Sequence, residues 1–342
     1  MTLVPLSTLL RHAHKNGYAI PAFNISFQEQ AQAILDAATE TQSPVIIQLS
    51  TGGLKHASTW MVDGLIQHIK KSPLPICLHR DHCHSLDDFQ AALELGFSSI
   101  MMDGSLTADG KPNAFEENVR ITQQALDMAK SYPASVEGEL GCLGSLITGL
   151  SGEEDGTQAA DILSLEQLLT DPSEARDFVA QANVDALAIA IGTSHGAYKF
   201  SAPPTESVLN IQRVSMIAEA IPNTPLVLHG SSSVPQDLLT TINQHGGAID
   251  PTFGVPVAAI QKAIQHGVAK VNIDTDLRLA ATAAVRQHLN EHPEEMDPRK
   301  YLSASRAAMK EICISRYQAF RAAGQAPFIQ KTQHDPFTTE VS

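Results

Sequence analysis

DALAIAIG, residues 185–192, is almost continuously apolar after its first side chain and runs straight into Thr193, Ser194 and His195. A strand with one wet face alternates apolar and polar residues. A continuous apolar run is what a strand needs when both faces are covered, as in a parallel sheet flanked by helices. PLVLHG (225–230) repeats the pattern, and six further β-rich runs lie outward from these two: AIPAFNI (19–25), PVIIQLS (44–50), PICLHRD (75–81), SSIMMDG (98–104), SVEGELG (135–141) and AKVNIDT (269–275). Between runs, apolar residues return every three to four positions, as in QEQAQAILDAATETQ (28–42), DDFQAALELG (87–96) and AFEENVRITQQALDMAKSY (114–132). Strand, helix, strand at this rhythm means parallel pairing through helical crossovers. About eight strands predict closure into a (β/α)8 TIM barrel, with an open doubly wound sheet as the alternative. The polar residues favour the barrel. Almost every run ends in Asn, Ser, Asp, His or Glu, and in a barrel those ends form one shared mouth, where barrel enzymes place their active sites.

Two stretches leave the rhythm. GCLGSLITGLSGEEDG (141–156) carries five glycines, too many for a helix or strand, and reads as a loop after the fifth strand that could act as a lid. After residue 290 the β pattern stops, and NEHPEEMDPRKYL leads into a helix over SASRAAMKEICISRYQAFRAA (303–323), followed by a tail expected to be loose from Gln325. The expected organisation is a barrel catalytic domain over residues 1–290, with 291–342 as a C-terminal helical extension and flexible tail of the same domain.

The 342 residues carry 37 acidic and 23 basic side chains, with 43% apolar and 18% charged, too apolar a chain for intrinsic disorder. A formal charge of -14 excludes a nucleic-acid binder, which needs a basic face, so any anionic ligand must be met locally. Cys77, Cys83, Cys142 and Cys313 form no CxxC pair, which suits a reducing compartment, and no run approaches the length of a membrane span. A cytoplasmic protein without membrane contact is expected.

His82, His195 and His229 end the third, sixth and seventh runs, in HRDHCHS, GTSHGAY and LHGSSS. A barrel would bring these three of the 14 histidines to one mouth, and three imidazoles with an open position describe a catalytic Zn2+ site. Asp81 precedes His82. Neighbours in a strand point to opposite faces, so both reach one site only if the strand is ending there. Asp81 would then either carry protons or orient an imidazole. Asp103 and Glu139, ending the fourth and fifth runs, offer oxygen ligands to a metal or form a salt bridge at the mouth. Glu153 and Glu154 are either an exposed acidic tip or, on a hinged loop, a carboxylate that enters the site when substrate binds. Gly192, Gly196 and Lys199, then Gly230 with Ser231, Ser232 and Ser233, then Asn272, Asp274 and Thr275 resemble phosphate cradles, because small residues leave backbone N–H groups open to an anion.

In this order, PAFN, QLSTGG, DHCHS, MMDGS, EGELG, GEEDG, GTSHGAYK, LHGSSSVP and NIDTDLR resemble the class II, metal-dependent fructose-1,6-bisphosphate aldolases from about residue 3 to residue 325. The insert in LHGSSSVPQDLLTTINQHGGAIDPTFGVP is similar to the subgroup of bacterial glycolysis and the Calvin cycle. The resemblance implies reversible aldol cleavage of fructose 1,6-bisphosphate to dihydroxyacetone phosphate and glyceraldehyde 3-phosphate. His82, His195 and His229 would hold one catalytic Zn2+ per subunit, with Glu139 and Asp103 lining an alternative position. Asp81 would be the acid/base at the C4 oxygen, and Glu154 would exchange the proton at the carbon of the dihydroxyacetone phosphate moiety. Gly196, Lys199, Gly230, Ser232, Asn272, Asp274 and Thr275 match the contacts to that moiety, with a monovalent cation, K+ or Na+, often nearby. Ser50, Arg278 and Arg299 match residues at the second phosphate, the arginines coming from a neighbouring subunit, which implies a homodimer or homotetramer. Asn24 of PAFN is placed at the mouth. Ile147 stands where the subgroup commonly has Glu. Aldolases of tagatose 1,6-bisphosphate or sedoheptulose 1,7-bisphosphate, a zinc hydrolase and a phosphosugar-binding protein are the competing readings.

Overall fold

The structure, a computed structural model, describes residues 2–107, 111–141, 169–193, 200, 202–204 and 209–333. Its centre is a closed barrel of eight parallel strands in sequential order: β1 (Ile20–Asn24), β2 (Val45–Leu49), β3 (Ile76–Cys83), β4 (Ser99–Met102), β5 (Ser135–Leu140), β6 (Ala186–Ile189), β7 (Leu226–Leu228) and β8 (Val268–Ile273). β8 closes on β1 with Ala22 opposite Asn272 and Phe23 opposite Ile273. Both sheet faces are covered. Every strand residue is buried except His82, which is half-buried. That is the physical content of the continuous apolar runs, and the pairing of β8 with β1 settles the choice against an open sheet.

The described helices are α1 (Leu6–Asn16), α2 (Gln28–Thr41), α3 (Thr51–Ile69), α4 (Leu86–Leu95), α5 (Phe115–Ala129), α6 (Pro172–Ala182), α7 (Ile211–Ala220), α8 (Gln236–Gln244), α9 (Val257–Gln265), α10 (Thr275–Glu291), α11 (Pro298–Ala319) and α12 (Ala326–Gln333). α1 buries Leu6, Leu9, Leu10 and Ala13, one apolar stripe, and packs against β3, β5 and β8. The Ser7 N–H donates to Ser135 Oγ (3.0 Å) at the first residue of β5, so α1 covers the barrel end opposite the mouth. The chain leaves α1 through Gly17, whose φ of 64° lets its N–H reach back to the Ala13 and His14 carbonyls.

α11 lies along α2 and α10 and buries Met309, Cys313 and Tyr317, the last edge-on to Phe23 with ring centroids 5.6 Å apart. The tail is not loose from Gln325. α12 follows because Ala326 and Ile329 are buried and the Ala326 N–H donates to the Gln42 carbonyl (3.0 Å). Of the glycine-rich stretch, residues 142–156 lie outside the described residues, and so does the tail from residue 334.

Candidate active site

Strand alternation aims His79 and Asp81 of β3 into the barrel, together with Asn24 of β1, Gln48 of β2, Glu137 and Glu139 of β5, and Lys270 and Asn272 of β8. His82 joins them for a different reason. The strand does not end at Asp81, as sequence reasoning requires, but continues to Cys83 with its pairing to β4 shifted between Arg80 and Cys83. His82 takes the left-handed conformation, φ 53°, within that irregularity. The extra turn brings two successive side chains to one mouth.

Asp81 is fully buried and surrounded by N–H donors. Asn24 Nδ2 (2.9 Å) and Gln48 Nε2 (3.1 Å) donate to Oδ2, and Asn272 Nδ2 (3.2 Å) donates to Oδ1. Gln48 Nε2 also donates to Asn24 Oδ1 (2.6 Å), fixing both amides. The His82 ring places Nδ1 3.1 Å from Asp81 Oδ1. Burial pushes the Asp81 carboxyl up, but the charge and hydrogen bond of His82, with His229 and Lys270 beyond, hold it well below the usual carboxylate range. His82 is the converse: burial opposes its charge, yet Asp81, Glu139 and Asp103 raise it to about 10.

His229 follows β7 and offers Nδ1 to His82 Nε2 at 3.0 Å. Its other nitrogen donates to Glu137 Oε1 (2.8 Å), and burial takes its pKa down to about 4, so the ring is neutral with Nδ1 as its acceptor. Glu137 is held ionised against the desolvation of full burial by Lys270, whose Nζ lies 3.0 Å from Oε2. His79 stands 3.7 Å from the same oxygen, its Nδ1 bonded to Ser99 Oγ (2.8 Å) and its pKa lowered to about 3, first by burial. Glu139 is raised well above the usual range by burial and by Asp103, and its Oε2 is a buried oxygen without a hydrogen-bond partner, 3.8 Å from His82 Nε2. Asp103 accepts from Ser105 Oγ (2.6 Å), lies 3.4 Å from His84 Nδ1, and is held low despite burial by those contacts.

This donor set fits a divalent metal. Asp81, His82 and His229 each present a ligand atom within 4.8 Å of the others. The gap between the two ring nitrogens is a place that the buried carboxylates of Asp81, Asp103 and Glu137, all held below the usual range, make favourable for positive charge.

The loops after β7 and β8 meet beside this group. Ser232 Oγ accepts from the N–H groups of Asp274 and Thr275 (3.1 Å each), where α10 begins, and Gly230 turns with φ 59°. Arg278, its side chain 56% exposed, donates through Nε to Asp274 Oδ1 of its own chain (2.8 Å). Ser50 caps α3 by accepting from the Gly53 N–H (3.2 Å). Arg299, at the first turn of α11 with its side chain 88% exposed, forks onto Asp297 and makes no contact with the mouth among the described residues. His195, Gly196, Lys199 and Glu154 lie outside the described residues. Sequence reasoning did not single out His79, Gln48, Glu137 or Lys270. Their signal is period-two spacing: His79 stands two residues before Asp81, Glu137 before Glu139, and Lys270 before Asn272.

A family model described as fructose-bisphosphate aldolase class-II matches residues 4–325. The fructose-bisphosphate aldolase of Stutzerimonas stutzeri is 55% identical over 333 residues, 96% of this chain and 94% of its own. That of Nostoc commune is 52% identical over 345 residues, 100% of this chain and 96% of its own. Among solved structures, the YdjI aldolase from Escherichia coli K12 superposes with a TM-score of 0.72 at 30% identity, covering 95% of this chain and 99% of that one. No described helix is long and apolar enough to cross a membrane.

Proposed function

The chain belongs to the class II fructose-bisphosphate aldolases, metal-dependent aldehyde-lyases, and from that premise we propose how its residues divide the cleavage of fructose 1,6-bisphosphate into dihydroxyacetone phosphate and glyceraldehyde 3-phosphate. The observation that carries the assignment is an ionised Asp81 beside two imidazoles whose nitrogens face each other at 3.0 Å. His82 and His229, with His195, would hold one Zn2+ per subunit, and Glu139 and Asp103 would line an alternative position for it. The ion supplies Lewis-acid polarisation at the sugar oxygens next to the C3–C4 bond, so that the charge left when the bond breaks spreads onto oxygen.

Asp81 takes the C4 hydroxyl proton in cleavage and returns it in condensation. Its low pKa keeps it ready to accept, and Asn24, Gln48 and Asn272 keep its oxygens aimed. Glu154 delivers the proton to the carbon that becomes the methylene of dihydroxyacetone phosphate. Gly196, Lys199, Gly230, Ser232, Asn272, Asp274 and Thr275 bind that product's phosphate end, where the start of α10 favours an anion, with K+ or Na+ beside it. Ser50 serves the second phosphate of its own subunit, and Arg278 and Arg299 serve that of a neighbouring subunit in a homodimer or homotetramer. Both phosphates lie away from the reacting bond, so their binding energy fixes orientation. A cytoplasmic setting is supported by the free, buried Cys77, Cys83 and Cys313.

The test is cleavage of fructose 1,6-bisphosphate and its tagatose epimer by purified protein, followed by triose phosphate detection. Turnover that prefers the fructose epimer, stops with EDTA and returns with Zn2+ is expected. Activity that survives complete metal removal would overturn the histidine site.

A further inference from the structure

Arg80 precedes Asp81, and its side chain leaves β3 on the face away from the mouth. It is 1% exposed, the bulkiest fully buried side chain among the described residues. Its guanidinium joins three elements. Nη1 donates to the Leu49 carbonyl at the end of β2 (3.2 Å) and to the Asp81 carbonyl (2.5 Å). Nη2 donates to Thr51 Oγ1 at the start of α3 (2.8 Å) and to Asp88 Oδ2 in the first turn of α4 (2.7 Å).

The Asp81 carbonyl matters because it belongs to the peptide joining Asp81 to His82. Pairing of β3 with β2 reaches only Arg80, and pairing with β4 resumes only at Cys83, so neither Asp81 nor His82 has a ladder partner. His82 is also held at φ 53°, a conformation a non-glycine residue keeps only when its surroundings impose it. A planar guanidinium can grip that carbonyl and brace against two helix starts at once, which a flexible ammonium or an apolar side chain cannot do.

We infer that Arg80 is a positioning residue for the aldol reaction: by clamping the Asp81 carbonyl it imposes the backbone turn that aims the Asp81 carboxylate and the His82 ring into one mouth. The inference rests on the roles assigned above to Asp81 and His82.

The experiment compares Arg80→Met and Arg80→Lys with the wild type in the full chain. It measures Zn2+ affinity by chelator competition, kcat and KM at saturating Zn2+, and Tm. Arg80→Met is expected to weaken Zn2+ binding about 10- to 100-fold, the usual loss when a group that orients a ligand is removed. At saturating Zn2+ its kcat should fall about tenfold or more, a larger change than the rise in KM that follows because Arg80 also holds Leu49 and Thr51 on either side of Ser50. Arg80→Lys should lie between it and the wild type. If Arg80→Met does not fold, Thr51→Val removes one brace and should show a smaller loss in the same two quantities. Variants with lower Tm but wild-type Zn2+ affinity and kcat would overturn the inference. His82→Ala separates the two levels: wild-type Zn2+ affinity there sinks the ligand assignment and the inference with it. Loss of Zn2+ there, with none in the Arg80 variants, sinks the inference alone.

Discussion

Asp81 keeps its charge in full burial because donors ring it, and this defines what its replacement should do. Asp81→Asn preserves the shape but cannot accept a proton. Turnover should fall by roughly 10²- to 10⁴-fold while Zn2+ content by metal analysis stays near wild type; loss of the metal would make Asp81 a ligand instead. Glu137 poses a different problem. It fixes the His229 tautomer and neutralises Lys270, both within a fully buried group. Glu137→Gln should weaken Zn2+ binding about 10- to 100-fold and, by stranding the Lys270 ammonium, cost about 3–5 kcal/mol in urea unfolding. Adding Lys270→Met should recover much of the stability and none of the Zn2+ affinity; if both recover, Glu137 only balances charge. Asp81 and His82 were legible in the sequence because polar residues closing an apolar run announce a mouth. Glu137, Lys270 and His79 were not, because one step deeper in the strand a polar side chain looks like an interruption of the core. Only period-two spacing shows that it shares the mouth's face.

Among elements, the loop after β7 shows what the C-terminal helix does. Asp276, at the start of α10, accepts from the Val234 N–H (2.9 Å) and Ser233 Oγ (3.1 Å), holding Val234 at φ 51°. Arg316 of α11 donates to the same Asp276 carboxylate (2.9 Å) and to Ser233 Oγ (2.6 Å). From the other side, the Val255 N–H donates to the Ser232 carbonyl (3.0 Å), and a Cβ on Gly254 would stand 2.3 Å from that oxygen. The loop carrying Gly230 and Ser232 is therefore clamped by two distant segments. Arg316→Gln and Gly254→Ala should each displace it and lower kcat/KM by roughly tenfold to a hundredfold, mainly through KM, because the phosphate is misplaced while the metal ligands stay put. Steady-state kinetics with a parallel Zn2+ titration checks this, and a loss carried by Zn2+ affinity would refute it. The sequence announced a helix over 303–323 that became α11, but no local pattern says which loop a buried arginine will meet. The same limit explains α12: Ala326 and Ile329 form too short an apolar signal to be read without their partners.

Over the whole molecule, eight short runs with polar ends were enough to expect one closed barrel, because only closure covers every edge and gathers every strand end. The electrostatic outcome depends on that gathering and was not visible as a net charge. Of 37 acidic side chains, four carboxylates, Asp81, Asp103, Glu137 and Glu139, are buried at one mouth, faced there by Lys270 and a protonated His82. Neighbouring donors and cations hold Asp81, Asp103 and Glu137 below the usual range, so the strain of the cluster falls on Glu139, pushed well above that range by burial and Asp103. A divalent ion bound only by the folded chain relieves it. At free Zn2+ 100-fold above its dissociation constant, linkage adds about 2.7 kcal/mol to stability. For a chain of this size that corresponds to a rise of several degrees in Tm. Scanning calorimetry of the metal-free protein against added Zn2+ should show the rise and EDTA should reverse it, with aldolase turnover following the same titration. If turnover follows Zn2+ while Tm stays fixed, the ion binds the unfolded chain as well as the folded one, and relief of the folded charge cluster is not what holds it.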